Sequence, residues 1–300
     1  MKVGVIGLGA MGMGAAKSCL AAGLDAVGCD VSPAAREAFE AAGGKAVAKP
    51  VEMGPLDAVL ALVVNAEQTE AALFGPDGVA AVLPAGAVVL ASATVAPDVP
   101  PKIAERLAAT GILLLDAPVS GGAAKAAAGE MTVMASGPPE AFEKAGPLLD
   151  AIAEKVYRLG DAPGQGAAIK MINQLLAGVH IAAMAEAFAL AARAGADLDT
   201  VYEVISNAAG SSWMFQNRGP SILSGDYAPK SAVNIFVKDL GIVLDAARGL
   251  TFPLPLTAAA HQQFLAASAG GHGRENDSAV VKVFQKLTGI DLPTPKEPQA

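Results

Sequence analysis

The sequence predicts a doubly wound α/β domain with a largely parallel sheet, followed by an all-α domain. Residues 1–160 alternate between short apolar runs and helical stretches, which is typical of a parallel sheet covered by helices on both faces. Beyond residue 160 the strand-like runs disappear, and helical patterns continue through residue 288. A chain of 300 residues with 53% hydrophobic content can supply the cores of two domains.

The first thirty residues contain a glycine-rich turn between a strand and a helix. An apolar run ending at Ile6 leads into Gly7-Leu8-Gly9-Ala10-Met11-Gly12, then a helical stretch, a second apolar run and Asp30. This order, with an acidic residue about 20 positions beyond the turn, is typical of a Rossmann domain that binds a dinucleotide. The glycines allow a tight turn and a close backbone approach, and the helix N-terminus attracts the pyrophosphate. We therefore predict that residues 7–12 bind the cofactor.

Asp30 indicates which dinucleotide is bound. A carboxylate at the end of the second strand accepts hydrogen bonds from ribose hydroxyls and repels a 2′-phosphate. The following residues, Val31, Ser32 and Pro33, carry no positive charge, and the first arginine is Arg36. The sequence therefore favours NAD over NADP. The alternatives for Asp30 are a solvated loop acid or the cap of a helix that begins near Pro33.

The remaining elements follow the same alternation. Further strands are predicted at 57–64, 87–91, 112–115, 131–135 and 156–159, and helices at about 34–42, 67–74, 97–109 and 139–153. Residues 165–194 lack proline, and a helix of that length extends about 45 Å, long enough to join two domains. More helices are predicted near 198–209, 232–248, 256–268 and 278–288. We expect a cofactor domain at 1–162 and a helical substrate and oligomerisation domain at 163–300.

Composition excludes some partners. The net charge of −8 argues against nucleic acid and against an anionic membrane surface. Residues 78–97 carry no charge over twenty positions but are interrupted at Pro84 and Gly86, so we expect no membrane span and a soluble, cytoplasmic protein. Cys19 and Cys29 match no metal or redox spacing and are expected to be buried small residues. The three histidines are isolated from one another, and no metal site is expected.

Two segments in the predicted strands and helices could carry chemistry. Ser120-Gly121-Gly122 follows a predicted strand and exposes backbone N–H groups that suit a carboxylate; its alternative is a plain turn. Lys170 and Asn173 share one face of the long helix, in a stretch without another charge until Glu186. An apolar setting disfavours the charged form of a lysine, as a general acid/base requires. The alternative for Lys170 is a surface lysine with a snorkelling stem.

A third segment contains Lys238 and Asp239 in an otherwise apolar helix, preceded by Ser211-Ser212-Trp213-Met214-Phe215, which holds the only tryptophan. Taken independently, these residues are typical of core packing and of a charge pair at a rim.

Together these motifs resemble the β-hydroxyacid dehydrogenase family over nearly the whole chain. The resemblance rests on five segments in the family's order: GLGAMG at 7–12, SATV at 92–95, DAPVSGG at 116–122, GQGAAIKMIN at 164–173 and FVKDL at 236–240. It implies a Rossmann domain and an all-α domain joined by a long interdomain helix, with the active site in the cleft between the domains. It also implies a small hydroxy-acid substrate and NAD as cofactor.

The resemblance assigns roles residue by residue. It makes Lys170 the catalytic acid/base, Ser120, Gly121 and Gly122 the carboxylate cradle, and Asn173 and Trp213 substrate-binding residues. Asn65, Thr94 and Lys238 match cofactor-contacting positions. Many relatives have a second asparagine after the first, where this chain has Gln174, so that residue's role is not transferred.

The sequence specifies the substrate less precisely than it specifies the family. Residues 211–215, 225–227 and 272–274 resemble members that oxidise a four-carbon sugar acid at its 2-hydroxyl. Oxidation of 3-hydroxyisobutyrate and reduction of tartronate or succinate semialdehyde remain open within the family. A non-catalytic NAD-binding or sensing protein is the alternative of another class. The helical half is expected to form a homo-oligomer, either a dimer or a tetramer.

Overall fold

The computed structural model describes residues 1–229 and 231–295. It divides into two compact units, Met1–Met171 and Ile172–Ala300. The first unit includes the start of the long helix predicted from residue 165. The domain boundary that the sequence predicts, between residues 162 and 163, lies just before that helix and stays a prediction.

A six-stranded parallel sheet forms the centre of the first unit. Its strands are β1 (Lys2–Ile6), β2 (Asp25–Cys29), β3 (Lys45–Val47), β4 (Ala58–Ala61), β5 (Val88–Ala91) and β6 (Leu113–Asp116). Their spatial order is β3-β2-β1-β4-β5-β6, and all pairs are parallel. The order reverses beside β1, so the sheet has the topological switch point at which Rossmann domains bind their ligands. The predicted fold of this unit is confirmed.

Helices cover both faces of the sheet because its strands are apolar on both sides. The helices of this unit are α1 (Ala10–Ala21), α2 (Pro33–Glu40), α3 (Ala66–Phe74), α4 (Val99–Ala108), α5 (Gly122–Ala128) and α6 (Pro139–Ile152). In β1, Val3 and Val5 belong to one buried cluster, whereas Ile6 belongs to a second one on the opposite face. Cys19 and Cys29 are both buried and unbridged, as the sequence predicts, and burial raises the pKa of each thiol to about 12.

A second, three-stranded sheet contains the last strands of this unit. Its strands are β7 (Val119–Ser120), β8 (Met131–Ala135) and β9 (Ala153–Arg158), in the order β7-β8-β9. The sequence predicted the last two strands but placed them in the large sheet. The reason for the difference is that β7 runs antiparallel to β8, so the chain folds back on itself after β6. An isolated antiparallel bridge between Asp116 and Ser136 connects the ends of β6 and β8.

All regular secondary structure among the described residues of the second unit is helical, apart from a single bridge between Ala232 and Asn276. Its helices are α7 (Gln165–Arg193, which begins in the first unit), α8 (Leu198–Ser206), α9 (Trp213–Ser224), α10 (Val233–Gly249), α11 (Pro255–Ala267) and α12 (Val281–Thr288). The sequence did not predict α9, because Pro220 lies inside it. Stacked pairs of aromatic rings, Phe188 on Phe215 and Phe236 on Phe264, lie in the core.

Helix α7 is long and apolar enough to cross a membrane, judged by length and composition alone. However, Ile181, Ala185 and Phe188 along this helix are fully buried in the core of the second unit. Packing within the protein therefore covers part of the apolar surface of α7, whereas Ile172, Leu176 and Leu190 are 52%, 49% and 69% exposed.

A buried ion pair ties α9 to the segment before α12. Arg218 Nε lies 2.6 Å from Asp277 Oδ1 and Arg218 Nη2 lies 3.1 Å from Oδ2, which is a bidentate arrangement. The Asp277 side chain is fully buried and that of Arg218 is 10% exposed. Removing one member of such a pair leaves the other charge buried without compensation.

We expect Arg218→Ala to lower the free energy of unfolding by about 3–5 kcal/mol, because Asp277 would lose its counter-charge. The matched control is Arg248→Ala, which breaks a pair whose side chains are 79% and 70% exposed and should change stability by less than about 1 kcal/mol. Urea denaturation of both variants measures the difference. Equal losses would contradict this assignment.

Candidate active site

The glycine-rich turn lies between β1 and α1, as the sequence predicts. Gly7 has φ +91°, and a Cβ on Gly12 would overlap the carbonyl oxygen of Gly7, so the first turn of α1 packs directly on the loop. A Cβ on Gly9 would meet no atom within 4 Å. Space therefore remains beside Gly9, the residue that precedes the first helical residue, Ala10. The exposed N-terminus of α1 and this open space fit a pyrophosphate.

Asp30 is bonded to the same turn. Its Oδ2 accepts from the Leu8 N–H at 2.7 Å, and its Oδ1 accepts from the Ser32 N–H at 2.8 Å. The cap of α2 is Ser32, whose hydroxyl accepts from the Ala35 N–H, so the alternative that Asp30 caps this helix is wrong. Each carboxylate oxygen keeps a further lone pair. These residues therefore fit the adenosine side of NAD.

Two more predicted cofactor residues follow neighbouring strands of the sheet. Asn65 follows β4 and caps α3, with its Oδ1 accepting from the Gln68 N–H at 2.8 Å. Thr94 follows β5 and is partly buried. Both follow the carboxyl ends of strands, the edge at which open α/β sheets bind ligands. Their cofactor contacts stay predictions.

The predicted carboxylate cradle lies where β7 meets α5. Ser120 ends β7, Gly121 precedes the helix, and Gly122 is its first residue. All three are partly exposed, and a Cβ on Gly122 would meet no atom within 4 Å. The backbone of this turn can therefore approach a ligand closely.

The beginning of α7 is held by a buried carboxylate that the sequence analysis did not assign to the site. Asp116 is 1% exposed, and its Oδ2 accepts from the N–H groups of Gly164 and Ala167, both at 2.9 Å. The Ser136 hydroxyl donates to the same oxygen at 3.1 Å and accepts from the Gly166 N–H at 3.0 Å. Burial raises the pKa of Asp116, and these donors act in the opposite direction. The helix N-terminus is thereby fixed to the end of β6.

Lys170 lies one turn beyond this anchor on α7. The residue is 8% exposed, so little of its side chain is in contact with solvent. A buried lysine on a helix with a fixed N-terminus has a defined position. Its catalytic role stays a prediction.

In the second unit, four polar residues on α7 and α10 form a chain of contacts. Asn173 Nδ2 donates to Gln174 Oε1 at 2.9 Å, and Gln174 Nε2 donates to Asp239 Oδ2. Lys238 Nζ lies 2.6 Å from Asp239 Oδ1. Gln174 is 7% exposed and Asp239 is 1% exposed. The predicted substrate residue Asn173 and the predicted cofactor residue Lys238 therefore belong to one network.

Trp213 is the first residue of α9 and is 54% exposed. The preceding Ser212 caps the helix, and its hydroxyl accepts from the Phe215 N–H at 3.0 Å. The indole is therefore not a core residue, unlike Phe215, which is buried. An exposed aromatic ring can contact a ligand, and the role of Trp213 stays a prediction.

Two family models match the two parts of the chain. Residues 2–160 match the family model described as the NAD binding domain of 6-phosphogluconate dehydrogenase. Residues 164–284 match the model described as NAD-binding of NADP-dependent 3-hydroxyisobutyrate dehydrogenase.

Individual relatives match over almost their full length. An L-threonate dehydrogenase of Cupriavidus necator is 60% identical, with 97% of each chain covered. A 2-(hydroxymethyl)glutarate dehydrogenase of Eubacterium barkeri is 37% identical, again with 97% of each chain covered. A crystal structure of a 3-hydroxyisobutyrate dehydrogenase from Salmonella typhimurium is 54% identical, with a TM-score of 0.91 over 94% of this chain and 99% of that one.

The dinucleotide turn, the helical second unit and these matches define a two-domain dehydrogenase of small hydroxy acids, and the chain belongs to the β-hydroxyacid dehydrogenase family. It is an NAD-dependent hydroxyacid dehydrogenase. The predicted family, fold class and cofactor are confirmed.

The turn geometry separates the effects of two glycine substitutions. We expect Gly12→Ala to lower stability by about 1–3 kcal/mol, because its Cβ would overlap the Gly7 carbonyl. Gly9→Ala should leave the thermal midpoint nearly unchanged, because its Cβ enters open space, but should weaken NAD binding by about tenfold or more. Thermal unfolding and NADH titration check both effects. Unchanged NAD affinity of Gly9→Ala would exclude this space as the pyrophosphate site.

Proposed function

We propose that this enzyme oxidises L-threonate at its 2-hydroxyl to the 2-oxo acid, with NAD as the oxidant. The buried Lys170 on the anchored N-terminal part of α7 carries the proposal for the chemistry. Relatives named L-threonate dehydrogenase, 54–60% identical over nearly the full chain, support the substrate.

The proposed mechanism assigns one task to each group of residues. Lys170, as a neutral amine, accepts the proton of the hydroxyl that is oxidised. Ser120, Gly121 and Gly122 hold the substrate carboxylate with backbone donors, and Asn173 and Trp213 orient the rest of the molecule. The residues that would hold NAD are 7–12, Asp30, Asn65, Thr94 and Lys238. When bound, NAD supplies the hydride acceptor.

A second candidate substrate is 3-hydroxyisobutyrate, because the Salmonella typhimurium structure named after that substrate is 54% identical. The reverse reduction of tartronate or succinate semialdehyde would use the same residues. A non-catalytic NAD-binding protein would have no use for a buried lysine at position 170, which counts against that alternative.

The enzyme should produce NADH from L-threonate faster than from 3-hydroxyisobutyrate, D-glycerate or 4-hydroxybutyrate. It should also use NAD in preference to NADP, because Asp30 would repel a 2′-phosphate. Absorbance at 340 nm with each acid and each cofactor measures both preferences. Faster turnover of another acid would refute the substrate while leaving the Lys170 mechanism in place.

We expect Lys170→Ala to lower kcat by about 10²–10⁴-fold, the usual contribution of a general acid/base. NAD affinity should stay within about twofold, because the nucleotide turn is separate from the amine. The control is Lys286→Ala, which removes an exposed lysine of α12. A Lys170→Ala enzyme with most of its activity would rule out the assignment.

We also propose that the protein is cytoplasmic and forms a dimer or a tetramer through its helical unit. Large apolar side chains of this unit are exposed, including Leu190, Leu256 and Leu287 at 69%, 71% and 76%. Covering such side chains with a second copy would be favourable. Sedimentation velocity measures the assembly state.

A further inference from the structure

Gln174 lies at the centre of the polar chain in the second unit. It is buried, and its amide connects Asn173 on the same helix with Asp239 on α10. The two helices pack closely here. A Cβ on Gly178, one turn after Gln174, would come within 2.8 Å of Leu240 and 3.0 Å of Phe236, both on α10. A glutamine side chain can therefore span the gap to Asp239.

The negative charge of Asp239 fixes the direction of both hydrogen bonds that connect Asn173, Gln174 and Asp239. An ionised carboxylate only accepts hydrogen bonds, and Lys238 lies 2.6 Å from the other oxygen of Asp239 as its counter-charge. Gln174 must therefore turn its NH₂ group toward Asp239 and its carbonyl oxygen toward Asn173. Asn173 must then turn its NH₂ group toward Gln174. As a result, Asn173 Oδ1 points away from Gln174 as a hydrogen-bond acceptor.

The neighbouring groups do not compete for this arrangement. His261, the titratable group of α11 near α10, contacts the Val237 carbonyl oxygen at 2.9 Å with its Nε2. Lys238 and Asp239 are thus the charged groups connected to Gln174 by the contacts described, and Lys170 lies one turn before Gln174 on the same helix.

We propose that Gln174 is a positioning residue that fixes the Asn173 amide with its oxygen toward the substrate, and thereby selects acids with a second hydroxyl. This inference rests on the proposed function. The hydroxyl that is oxidised has one hydrogen, which it gives to Lys170. Asn173 Oδ1 accepts the hydrogen of another hydroxyl of the substrate. A polyhydroxy acid satisfies this acceptor, whereas a monohydroxy acid leaves it unpaired, which lowers affinity.

The test compares L-threonate with 2-hydroxybutyrate, which lacks both of the further hydroxyls. The wild type should prefer L-threonate in kcat/KM by about tenfold or more. Gln174→Met keeps the length of the side chain but removes its polarity, so this ratio should fall toward one, mainly through a higher KM for L-threonate. The KM for NAD should not change. Gln263→Met, the same substitution on α11 outside the polar chain, is the matched control and should keep the wild-type ratio.

The pH dependence of the Gln174→Glu variant tests the positioning role, because a purely structural role of Gln174 would not make the substrate ratio depend on pH. When protonated, the introduced carboxyl can donate to Asp239 and accept from Asn173, which reproduces the polarity of the amide. Repulsion from Asp239 favours this protonated form. The substrate ratio of this variant should therefore be near the wild-type value at pH 6 and fall as the pH rises toward 10, while the wild-type ratio stays constant.

These experiments distinguish a failure of the inference about Gln174 from a failure of the proposed function. If the wild type does not oxidise L-threonate, the proposed function fails. The inference fails with it only if the acid that the enzyme does oxidise has a single hydroxyl. If the wild type oxidises L-threonate but Gln174→Met keeps its full preference, the inference is overturned. A pH-independent ratio for Gln174→Glu overturns it as well, and this variant decides the question if Gln174→Met does not fold.

Discussion

The carboxylate of Asp116 is the constraint on which the junction between β6, β8 and α7 depends. Burying a charge is costly unless hydrogen bonds and opposite charge compensate. Here the compensation comes from N–H groups of Gly164 and Ala167 and from the Ser136 hydroxyl, together with the positive end of the α7 dipole. The acid therefore joins the end of β6, the end of β8 and the start of α7. Lys170 obtains its position from this junction, because it follows the anchored residues by one helical turn.

The same physical device recurs at three places in the molecule. Asp30 accepts from the Leu8 N–H and so holds the second strand's end against the glycine turn. Asp116 orders the N-terminus of α7, and Asp239 orders the amide of Gln174. In each case an acceptor without hydrogens leaves its partners only one orientation. The groups that these acids order are backbone N–H groups and a neutral amide.

The sequence was sufficient where the signal is local. Strands β1, β4 and β5 are continuous apolar runs because both of their faces are buried, and the glycine turn has a fixed spacing. Strands β3 and β7, with three and two residues, are too short for a periodic pattern. Helix α9 was not predicted, because Pro220 interrupts its helical pattern. The role of Asp116 depends on partners 48 and 51 residues away, and Gln174 and Asp239 are 65 residues apart. Contacts at such separations have no signature in a single sequence, although an aspartate within the apolar end of a strand was a visible anomaly.

Arg36 connects the cofactor preference to the same turn. An arginine near the adenosine ribose can bind a 2′-phosphate, and one of the matching family models is named for an NADP-dependent enzyme. In this chain, however, Arg36 Nη1 donates to the carbonyl oxygens of Asp30 and Val31, at 2.7 and 3.1 Å. The guanidinium thus stabilises the loop that presents the Asp30 carboxylate. A 2′-phosphate would have to approach that carboxylate to reach the arginine, and the repulsion favours NAD.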